Sequence, residues 1–383
     1  MNPQPPKNAK VRTELAVQLA TARGPANTHS DDLLAELFGL DTADSETPDL
    51  EKLGLEKRAR PGLISCAVDL VCGLASEFGR LTGVCLVRIS SGLVVGFHVS
   101  GNPATERIVV KVHRNHVAAR LDAVVRAQSA LVAAGIPVAS LLTDAPRALG
   151  TGHALVETWR ADGDTVDVRS TDRRRALARG SFTISESLDA NQFGDLAPDW
   201  SGRFAPPHSP MFNFEATGTG AGWIDRLADM ALEGANRLTA DGVGERRVVH
   251  TDLRPENVLL DLARSAPVVS TIYDLDSLQL GSEAWLIGGV ARAYSTNWSL
   301  PDPMIPGVSE IRAFVKDYEF VRGQLFSPEE MRLAELGTLH ALAYSARCEH
   351  ALYPDGSVAP WGPGWRSLLQ QFATGLGVRV DQG

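Results

Sequence analysis

Lysine is scarce in this 383-residue chain: six of its 37 basic residues, at positions 7, 10, 52, 57, 111 and 316, are lysine, and the rest are arginine. Lys111 is therefore the only lysine between residues 58 and 315. Cysteine is sparser still. Cys66, Cys72, Cys85 and Cys348 form no C-x-x-C pair and lie beside no histidine cluster at finger spacing, which argues against a structural zinc site and leaves free thiols. No stretch runs 18 apolar residues without a charge, since Leu63 to Leu81 is broken by Asp69, Glu77 and Arg80. The polar start, Met1 to Lys10, has no apolar segment of the secretory kind. A cytoplasmic, reduced protein with no membrane partner is expected. Positive charge is also in deficit: 37 Lys and Arg face 46 Asp and Glu, a formal net charge of −9, which disfavours nucleic acid as a partner.

What is present is ordinary globular material. With 44% hydrophobic and 22% charged residues the chain is neither disordered nor fibrous, and its length suggests two to three folding units at about 150 residues each. Residues 1–62 read as an extension, with a polar start, a short amphipathic helix after Ser30 (Leu33, Leu34, Leu37, Phe38) and an acidic stretch from Asp41 to Glu51. An amphipathic helix follows from Leu63 to Phe78. Three β-rich runs, Gly83 to Ile89, Leu93 to Val99 and Arg107 to His113, are separated by Ser/Gly and Gly-Asn-Pro breaks and predict an antiparallel meander. His116 to Ala134 predicts a helix ended by Gly135 and Pro137, and His153 to Trp159 another strand. Beyond residue 160 the pattern is mainly helical: Arg173 to Leu188, Trp223 to Leu238, Glu310 to Leu325, and Ser327 to Leu352 with its Ser-Pro-Glu-Glu start. A Pro/Gly/Ser/Asn-rich insert runs from Asn191 to Gly222. The expected domains are the extension 1–62, a mainly β unit at 63–159 and a mainly helical unit at 160–383.

The chemistry concentrates in Val248 to Leu260, VVHTDLRPENVLL, where His250, Asp252, Arg254 and Asn257 sit between two apolar flanks. Polar groups in such a segment are costly unless paired or used. Asp followed five residues later by Asn is the spacing of a phosphoryl-transfer loop: a carboxylate to take the acceptor hydroxyl's proton and an amide oxygen to hold a magnesium ion beside it. Asp252 and Asn257 fit these roles, and Arg254 adds positive charge near the transferred group. Seventeen residues on, Asp274 ends the apolar run Ser270 to Tyr273 and offers a second magnesium ligand, with Asp276 close by. Lys111 lies in the apolar strand Ile108 to Val112, placed either to reach nucleotide phosphates or to snorkel from an edge. The link Ser90-Ser91-Gly92 offers backbone N–H groups to phosphates. Gly218 to Gly222 follows no predicted strand and reads as a loop, not a dinucleotide site. His250 is expected to hold backbone, and His153, His208 and His340 to be satisfied core or surface residues. Asp302, Glu310, Asp317, Glu319 and Glu349 could face a cationic acceptor, but a solvated helix face is the favoured reading.

Together these residues resemble the small-molecule branch of the protein-kinase-like superfamily, the aminoglycoside phosphotransferase family with its choline and homoserine kinase relatives. The resemblance covers roughly residues 83 to 350 and rests on His250-Thr251-Asp252-Leu253-Arg254-Pro255-Glu256-Asn257 joined to Asp274-Leu275-Asp276. Asp-Leu-Asp in place of Asp-Phe-Gly, and no Ala-Pro-Glu downstream, favour a small-molecule acceptor over a protein. The resemblance implies an α+β, bilobal fold: an antiparallel sheet N-lobe, a mainly helical C-lobe and here an N-terminal helical extension. It also implies ATP or GTP as donor, Mg2+, and a purine ring clasped near Glu157 and Trp159. An antibiotic, cationic ones included, is the expected acceptor, and the protein a monomer or homodimer. Two departures stand out. The helix after the lysine strand, where the family carries the lysine's glutamate partner, has no glutamate, only Asp122 and Gln128, and no aspartate follows Trp285. They keep a pseudokinase-type regulatory binding protein as an alternative, beside a kinase of a metabolite such as choline or homoserine.

Overall fold

The computed structural model describes residues 9–21, 34, 37–38, 61–89, 92–103, 105–114, 118–198, 203–204, 212–297, 304–354, 357 and 364–380. They fall into two compact units. One holds the described residues up to Val125 together with Ala139–Trp159; the other holds Arg126–Val138 and the described residues from Arg160 onward.

The first unit begins with α1 (Ala9–Thr21) and α2 (Pro61–Ala75). It continues through β1 (Arg80–Ile89), β2 (Leu93–Ser100), β3 (Arg107–His113) and the start of α3 (Ala118–Ala133). The strands β4 (Arg147–Leu149) and β5 (Gly152–Thr158) complete it. All pairings are antiparallel, in the order β1-β2-β3-β5-β4. Strand period 2 sorts the side chains. Leu93, Val95, Phe97, Ile108, Val110, Val112, Ala154 and Val156 share one face and are buried with Val11, Leu15 and Leu19 of α1, with α2, and with Leu34, Leu37 and Phe38. On the opposite face Leu155 packs with Leu121, Val125 and Leu141. A sheet covered on both faces explains why β3 reads as an almost unbroken apolar run interrupted only by Lys111. Gly135, at φ +76°, closes α3: its N–H donates to Val132 O and that of Ile136 to Leu131 O.

The second unit contains α4 (Thr171–Ser187), α5 (Gly222–Ala240), β6 (Arg246–His250), β7 (Val258–Asp261), β8 (Val268–Ile272) and β9 (Leu278–Ser282). It ends in α6 (Glu283–Ala291), α7 (Val308–Arg322), α8 (Pro328–Leu352) and α9 (Gly364–Gly375). The capping box expected at Ser327 forms: Ser327 Oγ accepts from Glu330 N–H, and Glu330 Oε2 accepts from Ser327 N–H. Between Asn191 and Gly222 the described residues form only single turns, as the composition predicted. Among the described residues, no helix is long and apolar enough to cross a membrane.

Helices α6 and α8 meet backbone to backbone. A Cβ at Gly288 would lie 2.0 Å from Ala334 O, and one at Gly337 2.1 Å from Trp285 O. The contact matters because α6 follows β9 directly and so anchors the strand on which β6 is registered. Gly337→Ala gains at most about 1 kcal/mol of helix propensity but forces the helices apart, an overpacking cost of about 1–3 kcal/mol or more. A net loss is expected, lowering the thermal midpoint by roughly 2–4 °C per kcal/mol; calorimetry of the variant checks it.

Candidate active site

Two short ladders build the polar centre of the second unit. Strand β6 pairs with β9, and β7 with β8. Residues 251–257 connect β6 to β7 and residues 273–277 connect β8 to β9, so each connection joins both ladders and the two are held side by side. His250 lies opposite Leu278, and Thr251 N–H donates to Ser277 O (3.0 Å). At the other end Val258 lies opposite Ile272, and Tyr273 N–H donates to Asn257 O (2.8 Å). Asn257 and Asp274, 17 residues apart in sequence, thus become near neighbours at the base of one hairpin.

Side chains complete the frame. His250 is fully buried; its Nε2–H donates to Tyr273 O (2.8 Å) and its Nδ1 accepts from Asp252 N–H (3.3 Å), the backbone-holding placement expected of it. Asn257 Nδ2 donates to both Asp252 O (2.8 Å) and Asp252 Oδ2 (3.0 Å). Arg254 Nε donates to the same Oδ2 (3.0 Å), while its Nη1 meets Glu256 Oε2 at 2.7 Å. Among the described residues nothing hydrogen-bonds to Asp252 Oδ1. That oxygen is open, while its twin is doubly held.

Arg254 is more occupied than its sequence role suggested. Burial alone would lower its pKa, but the Asp252 and Glu256 charges, the Asp252 hydrogen bond and the Asp274 charge outweigh burial and raise it. Glu256 was the missed residue: it gives the half-buried guanidinium, already bound to Asp252, a second carboxylate. Arg292 was missed as well. It donates to Ser345 Oγ (2.6 Å), and burial, opposed by the charge of Asp252, lowers its pKa.

Asp274 has φ 62° and ψ 43°, the one positive-φ residue other than glycine among those described. The left-handed region is unfavourable for most L-residues, with Asn and Asp the usual exceptions. This conformation turns the chain from β8 into the Leu275–Ser277 turn, with Asp274 Oδ2 accepting from Ser277 Oγ (3.2 Å). Asp276 lies within that turn. Asn257 spends its amide nitrogen on Asp252, which leaves its carbonyl oxygen as a hard donor at the end of the hairpin where Asp274 also sits. Among the described residues no group of three or more His, Cys, Asp or Glu side chains could hold a metal. An amide and a carboxylate fit a magnesium ion whose remaining ligands are phosphate and water.

In the first unit Lys111 Nζ lies 3.0 Å from Glu157 Oε1. Both residues are buried, at 8% and 4% exposure, which excludes the snorkelling alternative for Lys111. The Glu157 carboxylate is thus engaged by the strand lysine. Trp159 N–H donates to Arg107 O (3.0 Å), and its indole lies so close over β2 that a Cβ at Gly96 would be 2.7 Å from it. Gly96, Val109 and Glu157 are in register, so this ring shares the sheet face of Lys111. A Cβ at Gly92 would lie 2.4 Å from Val112 O. Glycine is therefore required there for close packing on β3, whatever else the link does. Ser90 and Ser91 lie outside the described residues, as do His208 and Asp302.

The acids offered for a cationic acceptor are otherwise engaged. Asp317 bridges Arg174 (2.6 Å) and Arg175 (2.9 Å), Glu319 accepts from Phe326 N–H, Glu349 accepts from Arg366 N–H, and Glu310 caps α7 through Gly307 N–H. Asp317, Glu319 and Glu349 are buried. The solvated-face reading fails for these three, because helix periodicity does not reveal which polar residues an arginine or a bare N–H will draw inward.

No curated protein sequence matches the chain. Among solved structures, an amicoumacin kinase in complex with AMP-PNP, Ca2+ and amicoumacin superposes with a TM-score of 0.51 at 11% identity, covering 82% of this chain and 96% of its own. A GDP complex of an aminoglycoside 2'-phosphotransferase of type IIIa gives 0.51 at 12% identity, covering 81% and 97%. An ethanolamine kinase of Plasmodium vivax gives 0.48 at 10% identity, covering 88% and 98%. The two likenesses above 0.5 establish an α+β, protein-kinase-like fold. The model of the phosphotransferase enzyme family matches residues 86–331, well over half of the sequence, and the chain belongs to that family.

Proposed function

We propose that this phosphotransferase moves the γ-phosphoryl group of ATP or GTP, in a magnesium-dependent reaction, onto a hydroxyl of a small molecule, and that the acceptor is an antibiotic. The observation that carries the reading is the state of Asp252: one carboxylate oxygen fixed by Asn257 and Arg254, the other open. A carboxylate so restrained can accept a hydroxyl proton and aim the oxygen with little loss of side-chain freedom, because its orientation is already set. Asn257 and Asp274 would hold magnesium, which neutralises charge on the transferred phosphates when bound. Arg254, tied to Asp252 and Glu256, acts as the brace of the catalytic carboxylate and only at a distance as positive charge for the phosphoryl group. Lys111 supplies the cation for the nucleotide phosphates, with Gly92 and its neighbours Ser90 and Ser91 in the adjoining link. Trp159 offers the nucleobase an aromatic wall on the lysine face. A nucleoside triphosphate donor suits a reaction in the cytoplasm.

The antibiotic acceptor is suggested by the amicoumacin kinase and the aminoglycoside phosphotransferase, which share the fold and whose ligands include AMP-PNP and GDP. Buried Asp317, Glu319 and Glu349 lend no negative surface to a cationic acceptor, so neutral hydroxylated antibiotics belong in the assay beside aminoglycosides. Purified protein is incubated with Mg2+ and ATP or GTP and a panel of such antibiotics, with choline and homoserine included, and products are read by mass spectrometry. Gain of one phosphoryl group on an antibiotic, abolished by chelator, is the expected result. Transfer to choline or homoserine alone would reassign the acceptor to a metabolite, and nucleotide binding with no transfer to any acceptor would favour a regulatory binding protein.

A further inference from the structure

We infer that Glu157 is the positioning residue for Lys111, so that the lysine is oriented from the neighbouring strand of its own sheet. Val109 lies opposite Glu157 and Lys111 opposite Leu155, which puts Lys111 and Glu157 on one face as a diagonal cross-strand pair. Their charged atoms are 3.0 Å apart in a buried setting. A buried ammonium without a counter-charge is strongly unfavourable, and the following helix offers no substitute carboxylate. Helix α3 has no glutamate, and its aspartate, Asp122, is exposed.

The source of the carboxylate has consequences. A helix can shift against a sheet, whereas a residue two positions along a hydrogen-bonded strand cannot move independently of its ladder. The Lys111–Glu157 pair is therefore formed whenever β3 and β5 are paired, whatever the position of α3. The ammonium has three N–H donors, and the one directed to Glu157 fixes the end of the flexible stem. On this account the missing helix glutamate is no sign of a degraded site.

The inference rests on the proposed nucleotide site, and the test separates the two. Wild-type protein, Glu157→Gln, Glu157→Asp, Lys111→Met and the double Lys111→Met/Glu157→Gln variant are titrated with Mg-ATP and Mg-GTP by calorimetry. Nucleoside diphosphate release with water as acceptor and thermal midpoints are recorded alongside. Glu157→Gln is expected to weaken nucleotide binding by roughly tenfold or more, Glu157→Asp to recover part of that loss, and Glu157→Gln to cost nothing further when Lys111 is already methionine. Wild-type affinity and turnover in Glu157→Gln, or an additive loss in the double variant, would overturn the inference while leaving the proposed function standing. A wild-type protein that binds neither nucleotide would overturn both. Should Glu157→Gln alone unfold, the double variant, which leaves no charge buried, is compared with Lys111→Met: equal nucleotide affinity upholds the pair and lower affinity overturns it.

Discussion

Asp252→Asn is expected to cut phosphoryl transfer by about 10²- to 10⁴-fold, the usual worth of a positioned general base, with little change in nucleotide affinity. The variant is a clean test because asparagine keeps a side-chain oxygen where Asn257 Nδ2 and Arg254 Nε donate. What disappears is the negative charge and the open oxygen that accepts the proton. Arg254 retains Glu256 as counter-ion, so the stability loss is held to about 1–2 kcal/mol, the price of weakening one charged hydrogen bond. Turnover and nucleotide titration are measured on the same preparation, with the thermal midpoint reporting the fold. Wild-type turnover in Asp252→Asn would end the assignment of Asp252 as catalytic base.

Asp274→Asn is expected to remove magnesium-dependent nucleotide binding, lowering affinity by roughly a hundredfold or more and leaving it near that of the wild type in chelator. Asparagine is chosen because the backbone at this position is left-handed, φ 62°, a region it tolerates nearly as well as aspartate. Asp274→Ala confounds the two effects: it removes the carboxylate and adds about 1–2 kcal/mol of backbone cost. The pair of variants therefore separates ligand from strain. Both should lose the magnesium response, and only alanine should lower the thermal midpoint appreciably. An Asp274→Asn protein whose nucleotide affinity still rises with magnesium as in the wild type would show that Asp274 is not a ligand.

Much of the architecture was legible from pattern. The strands from Arg80 to His113, the helix closed by Gly135 and the Ser327 capping box follow from period 2, a left-handed glycine and reciprocal N-terminal hydrogen bonds, all local causes. Short elements were not legible. Strands of three to five residues such as β4 and β9 carry too few alternations to distinguish them from loop. Nor did the weak apolar period of α1 announce that Val11, Leu15 and Leu19 would join the core beneath the sheet.

The polar residues divide in the same way. Residue type and spacing alone put the Asp252 carboxylate and the Asn257 amide within reach of each other, because the chain between them is too short to separate them; the hairpin register then brought Asp274 near Asn257. Which partner each charge takes was decided only in three dimensions. Lys111 meets a glutamate 46 residues on because two strands run antiparallel in a particular register. Asp317 turns inward because two arginines 142 and 143 positions away reach it. A buried charge has to be paired, but which residue pairs with it depends on distance through space, and sequence order carries that distance only within a turn or a loop.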